Sequence, residues 1–140
     1  MSSKKSKIPR GIRNNNPLNI RVGNNWKGEV AKPSDHTFEQ FTEMKWGCRA
    51  AFIILRNYIN RHKLDTISKI ITRWAPSNEN NTLAYIKAVE KYSLIDLNEK
   101  IKFENKCQMV NLFRAMCIVE NGKEVSIDAI LEGYNLANSN

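Results

Sequence analysis

The rhythm of apolar positions changes near residue 45. Beyond that point Ala50, Ala51, Ile54, Leu55, Tyr58 and Ile59 recur every three or four residues, so the sequence predicts a core helix over Lys45 to His62. A second helix is expected from a cap at Asp65 or Thr66. It carries Ile67, Ile70, Ile71 and Trp74 and stops before Pro76, whose ring disfavours helical angles at the residue preceding it. Ser77 to Asn81 reads as a polar loop, and a third helix from an Asn81 cap places Leu83, Ile86, Val89 and Tyr92 along one side. A fourth, over Glu104 to Glu120, buries Met109, Val110, Leu112, Phe113, Met116 and Cys117, with Gly122 placed to end it. The fifth runs from a Ser126 cap through Ile127, Ile130, Leu131 and Tyr134.

Before residue 45 no helical period is visible. From Leu18 to Phe41 the chain is rich in Gly, Asn and Pro between short apolar stretches, which predicts a small irregular β-region with turns at Gly23 to Asn25 and Pro33 to Asp35. Trp26, Val30, Phe38 and Phe41 are its expected apolar anchors. The fold class is therefore mainly α (α+β): about five helices with a small N-terminal β-region. Residues 1–9 are expected to form a flexible basic arm, and residues 10–140 a single domain.

Composition narrows the function. At 140 residues and 41% apolar content the chain can build one ordinary core. Its net charge of +8 is uneven: residues 1 to 32 hold eight Lys or Arg against the single acid Glu29, whereas the remainder is nearly balanced. A basic leading edge suits a polyanionic partner, be it nucleic acid, a membrane surface or an anionic wall polymer, and equally a solubilising tail. No apolar run approaches the roughly 18 residues of a membrane span, and no apolar stretch follows the basic start as a secretory signal requires. The chain is expected to be made and kept in a cytosol unless another machine exports it. Cys48, Cys107 and Cys117 form no CxxC pair and read as reduced core residues; His36 and His62 are isolated, so neither a metal nor a cofactor is expected.

The densest chemistry lies in residues 10 to 21, Arg-Gly-Ile-Arg-Asn-Asn-Asn-Pro-Leu-Asn-Ile-Arg. Asn side chains donate and accept at once and Arg adds a fork of donors, so Arg13, Asn14, Asn15, Asn16, Asn19 and Arg21 are candidates to bind hydroxyl, amide or carboxylate groups. The Asn16-Pro17 pair and Gly11 argue for a turn or loop there. Trp26 and Trp74 are candidate stacking platforms for a sugar ring, or ordinary core residues. Glycoside cleavage needs a carboxylic acid, and the candidates are Glu79, Asp35 and Glu29. Glu79 follows Trp74 and Ala75, which can desolvate it; it also fits as an exposed charge before a helix. Arg56, Arg61 and Lys63 make only a modest basic patch, so nucleic-acid binding stays open without a specific signal.

Residues 10 to 21, then Trp26-Lys27-Gly28, Phe38 and Phe41 before Gly47-Cys48-Arg49-Ala50, and finally Trp74-Ala75-Pro76 with Glu79-Asn80-Asn81-Thr82 and Tyr85, resemble a family of bacteriophage and prophage virion structural proteins. The match covers residues 10 to 92. Looser is a similarity to lysozyme-like peptidoglycan hydrolases, in which an Asn-rich stretch and a following β-region line a sugar groove beneath a helical body. That resemblance implies a lysozyme-like fold, peptidoglycan as partner, possible contacts with other virion proteins, and glycan cleavage of the lysozyme, glucosaminidase or lytic transglycosylase type. The chain departs from those enzymes at one point: they carry their catalytic glutamate upstream of the Asn-rich stretch, whereas the first carboxylate here is Glu29. A non-catalytic wall-binding or virion structural module, and a basic nucleic-acid-binding protein, are the alternatives. If Glu79 is the acid, Glu79→Gln removes wall cleavage with little loss of fold, as measured by release of soluble fragments from peptidoglycan; unchanged release turns attention to Asp35 and Glu29.

Overall fold

The computed structural model describes residues 7–76 and 79–139, with the side chains of Glu79 and Asn80 left undescribed. Most of the expected arm over residues 1–9 and the first part of the expected loop after Pro76 thus lie outside the described residues. The secondary structure is mainly helical. Six helices follow one another: α1 (Arg10–Arg13), α2 (Met44–Asn60), α3 (Ile67–Trp74), α4 (Glu79–Ser93), α5 (Lys106–Asn121) and α6 (Ile127–Asn138).

Three helix starts are fixed by side-chain caps. Thr66 accepts from the Lys69 amide, Asn105 from the Gln108 amide and Ser126 from the Ala129 amide, satisfying donors that the first helical turn leaves open. At the other end of α5 Gly122 adopts φ 72°, the left-handed stop expected of it. Four of the long helices thus begin or end within a few residues of the sequence expectation. The fifth, α4, starts at Glu79, two residues before the expected Asn81 cap. There the Thr82 hydroxyl donates back to the Ala75 carbonyl, tying the new helix to the end of α3.

The core is a single cluster of buried side chains. α2 lies chiefly on α6, and α4 on α5 with α3 beside it. Where they meet, Phe52 of α2 stacks on Phe113 of α5 at 4.2 Å between ring centres and meets Tyr134 of α6 edge-on at 5.3 Å. The Tyr134 hydroxyl donates to the Phe103 carbonyl at 2.6 Å, so the one polar group of this aromatic cluster is satisfied and the segment before α5 is anchored. Gly133 makes the α2–α6 crossing possible: a Cβ there would overlap the Cys48 side chain.

Several expectations are corrected. The buried side of α4 is Thr82, Tyr85, Ile86, Val89 and Ser93, while Leu83 and Tyr92 are exposed. The expected stripe of Leu83, Ile86, Val89 and Tyr92 was rotated by about one residue, since the i, i+3 rule leaves Tyr85 and Leu83 equally plausible and only packing against α5 selects Tyr85. Ile127 is exposed for a related reason, as the first residue of α6. Cys107 is exposed on the outer side of α5 rather than in the core; Cys48 and Cys117 are buried. The N-terminal β-region contains, among the described residues, only two isolated antiparallel bridges, Arg21 with Phe38 and Glu29 with Phe41. A few backbone bonds, such as those from the Val22 amide to the Thr37 carbonyl and from the Val30 amide to the Gln40 carbonyl, hold its arms together, and side chains supply the rest. Finally, Arg10–Arg13 forms one helical turn where a turn or loop was expected, which makes six helices instead of about five.

The glycine at the α2–α6 crossing yields a test. Alanine in a helix is ordinarily better than glycine by about 1 kcal/mol, but overpacking at a fixed contact costs about 1–3 kcal/mol. Gly133→Ala is therefore expected to be net destabilising, read as a lower urea midpoint with an unchanged slope.

Candidate functional site

Residues 14 to 21 bend through two left-handed positions, Asn15 and Asn19, both at φ 54°. Asn tolerates that conformation better than other residues carrying a β-carbon, which accounts for its repetition here. Gly47 of α2 allows the loop to come close: a Cβ at that position would overlap the Asn15 carbonyl. The loop is therefore pressed onto α2, with Asn14, Asn16 and Leu18 buried.

Once buried, the amides turn inward. Asn16 Nδ2 donates to the Ile20 carbonyl at 3.0 Å and the Glu39 carbonyl at 2.9 Å, and its Oδ1 accepts from the Ile20 amide at 2.9 Å. Asn15 donates to the Phe41 carbonyl at 3.0 Å. Asn14 Nδ2 donates to Asp35 at 2.9 Å while its own carbonyl accepts from the Phe41 amide. These three asparagines, expected to face a ligand, spend their hydrogen-bonding groups on the chain itself and do the work that strand pairing would otherwise do.

Asp35 is the most heavily bonded carboxylate. Arg10 grips it in a two-point fork at 2.7 and 2.8 Å, Asn14 adds a third donor, and the Thr37 and Phe38 amides donate at 2.9 and 3.0 Å. The Arg10 guanidinium, followed by the backbone amides, holds its carboxyl far below the ordinary range. A group held so firmly ionised has no proton to deliver, so the geometry gives Asp35 a structural role and not that of the expected acid. Glu29 accepts from the Trp26 amide at 2.9 Å. Beside it Glu39 is buried, and desolvation, then the neighbouring Glu29 charge, pushes its carboxyl up. Trp26 packs partly buried against the core beneath this region.

Two of the open clefts border this loop. One, of about 530 Å3, is lined by Arg10, Arg13, Asn14, Ser34, Asp35, His36, Thr37 and Gln40. The other, of about 210 Å3, is lined by Asn19, Ile20, Arg21, Ile54, Tyr58 and Trp74. Phe38, which lines neither, carries on its ring the guanidinium of Arg10, from the larger of the two, at 4.5 Å and that of Arg21, from the smaller, at 5.2 Å. Asn15, Asn16, Trp26 and Glu29 line neither. The smaller cleft brings together three of the expected binding residues, Asn19, Arg21 and Trp74. It adds Tyr58, which meets Trp74 edge-on at 6.0 Å.

The sequence gives no warning of the carboxylate beside this cleft. Glu120, in the last turn of α5, accepts from Asn19 Nδ2 at 2.7 Å and from the Tyr85 hydroxyl at 2.9 Å. It is half-buried, and desolvation raises its pKa against the opposing pull of these donors. Tyr85 is itself pushed well up by burial and by Glu120, so it stays a donor. One residue on, Asn121 donates to the Pro17 carbonyl at 2.9 Å. Glu120 lies 101 residues from Asn19 in sequence, at the end of a helix whose periodicity marks only its apolar side. No local motif could have singled it out. Among the described residues no group of His, Cys, Asp and Glu could hold a metal ion, and no helix is long and apolar enough to cross a membrane.

Comparison with known proteins finds a relative in a bacteriophage. The chain is 40% identical over 130 residues to protein P5 of Pseudoalteromonas phage PM2, a match that covers 89% of this chain and 79% of that protein. No family model matches the chain.

Two outcomes follow from the loop's hydrogen bonds. Asn16→Ala strands the Glu39 carbonyl and the Ile20 amide in a buried site, while the Ile20 carbonyl keeps the Glu39 amide; the loss should cost roughly 3 kcal/mol in a denaturant titration. The Asp35 carboxyl is depressed in the folded state, so its stabilising effect is complete above the unfolded value near pH 3.9 and lost as pH falls below it. Asp35→Asn should therefore lower the melting temperature at neutral pH and lessen the further loss of stability in acid.

Proposed function

Because the chain belongs to the family of protein P5 of Pseudoalteromonas phage PM2, we propose that it is a virion-associated phage protein that binds bacterial peptidoglycan and cuts its glycan strands. On this reading residues 10–140 act as one lysozyme-like domain. The protein is made in the host cytoplasm and reaches the wall from the particle or during release.

The observation that carries the reading is the smaller cleft. An aromatic pair, Trp74 and Tyr58, stands beside Arg21 and Asn19. A sugar ring has an apolar face suited to an aromatic side chain and a rim of hydroxyls suited to amide and guanidinium groups. Arg21 also offers a charge to the carboxylates of the wall's peptide stems. The second cleft, with Arg13 and His36, offers further polar and basic groups to a polymer long enough to reach both.

A second reading is supported by the inward amides and the clamped Asp35. If residues 14 to 16 serve only to fasten the loop, the same fold can act without chemistry, as a wall-binding or virion structural module in contact with other particle proteins. The two readings diverge in one assay. The purified protein is incubated with isolated peptidoglycan and the soluble products are analysed by mass spectrometry. Cleavage gives new reducing ends or anhydromuramic ends; a binding module co-sediments with the wall and releases nothing. In either case the Arg21→Ala, Trp74→Ala double variant should lose most of its co-sedimentation while remaining folded, and undiminished binding would move the site away from this cleft.

A further inference from the structure

We propose that the larger of the two clefts is a carboxylate subsite, in which Arg13, the unbonded edge of Arg10 and His36 hold a free carboxylate of the peptide stem that branches from a glycan strand. The assignment rests on the wall-binding reading above and holds whether or not the protein cuts.

The acceptors that line this cleft are already occupied. Asp35 Oδ1 accepts from Arg10 Nη2 and from the Thr37 and Phe38 amides, and Oδ2 accepts from Arg10 Nε and Asn14 Nδ2. Gln40 Oε1 accepts from the Ser34 and Asp35 amides, and Gln40 Nε2 donates to the Ser34 hydroxyl. What remains is chiefly donors. Arg13 and His36 are exposed, line the cleft, and have no hydrogen bond or ion pair among the described residues. Arg10 grips Asp35 through Nε and Nη2 only, so both N–H groups of Nη1 stay open. A wall whose acceptors are filled and whose open groups are cationic donors selects a ligand made of acceptors and bearing negative charge.

Arg10 is the preset part of the site. Its guanidinium is fixed by the fork to Asp35 and rests on the Phe38 ring at 4.5 Å, so little side-chain freedom is left to lose when an anion arrives. Asp35 also matches its charge. The net charge of the cleft therefore comes from Arg13, with His36 adding to it when protonated. One uncompensated cation suits a single carboxylate. A nucleic-acid backbone is held by a row of cations on successive phosphates, and the described residues lining this cleft form no such row.

Position indicates the source of the carboxylate. Arg10 of the larger cleft and Arg21 of the smaller lie over the same Phe38 ring, so the edges of the two clefts are only that ring and its two contacts apart. A sugar placed against Trp74 and Tyr58 can then lay a peptide branch in the larger cleft. A glycan strand with its stems has this pattern: sugars along its length, and on alternate ones a peptide with free carboxylates.

The test uses the full chain and its Arg13→Ala and Arg13→Lys variants with three probes: intact peptidoglycan, soluble glycan strands stripped of their stems by an amidase, and the stem peptide so released. Co-sedimentation reads the first and titration calorimetry the other two, with thermal melting alongside. Losing a hydrogen bond to a charged group weakens binding about 10- to 100-fold. Arg13→Ala should lose affinity for the stem peptide by that order, bind intact wall more weakly, and bind the stripped strands as the wild type does. Arg13→Lys should recover part of the loss. Because Arg13 is exposed and unpaired, both variants should melt with the wild type. Undiminished stem-peptide binding by Arg13→Ala overturns the assignment, and so does an equal loss on stripped strands, which makes Arg13 a sugar contact. A loss confined to a duplex DNA oligonucleotide overturns it in favour of a phosphate backbone. The wall-binding reading fails separately: wild-type protein that binds the stem peptide but not the stripped strands keeps this subsite and removes the sugar cleft, whereas binding to the strands but not the peptide removes the subsite alone.

Discussion

Burying an asparagine-rich loop is costly unless nearly every amide and carbonyl finds a partner, and this constraint organises the N-terminal third of the molecule. Residues 14 to 21 have too few neighbours in a ladder to be satisfied as a strand. They are satisfied from three directions: by the Phe41 backbone, by Asp35, and by the Glu120-Asn121 pair at the end of α5. Remove any one and polar groups are stranded against α2. The packing of α5 thereby becomes a condition for the shape of a loop a hundred residues earlier. The helical body is both the support of the β-region and its hydrogen-bonding complement.

That dependence explains what could be read from the sequence. Helices α2, α3, α5 and α6 were legible because local signals agree with tertiary burial: an apolar period, a Thr66 or Ser126 cap, and a left-handed Gly122. The face of α4 was not, since Leu83 and Tyr85 are both apolar and the choice between them is made by α5. The β-region was legible as irregular, but its near-absence of bridges was not, because Asn16 supplies with one side chain the bonds that a neighbouring strand would supply. Composition marked residues 10 to 21 as polar-recognition chemistry. It could not say that much of the polar surface recognised is the protein's own.

For the candidate site the same division holds. Asn19, Arg21 and Trp74 were legible as residue types, and they do share a cleft. Tyr58 was legible only as a core residue of α2. Glu120 was not legible at all, because a carboxylate at the end of an amphipathic helix is ordinarily a solvated one, and only the docking of residues 14 to 21 takes it partly out of water. The expected acid Asp35 illustrates the converse. Its sequence neighbours are unremarkable, and its fork with Arg10 joins residues 25 positions apart.

The two carboxylates also show how one loop produces opposite chemistry on its two sides. At one side, Asp35 meets a guanidinium and two backbone amides, and the charged form wins by a wide margin. At the other, Glu120 meets an amide and a phenol, both neutral, and burial outweighs their pull. The decisive difference is the cation: a guanidinium fork lowers the energy of a carboxylate more than neutral donors do, whereas desolvation penalises both. One loop is thus fastened at one edge by a firmly ionised acid and at the other by a carboxyl group that burial biases towards its neutral form.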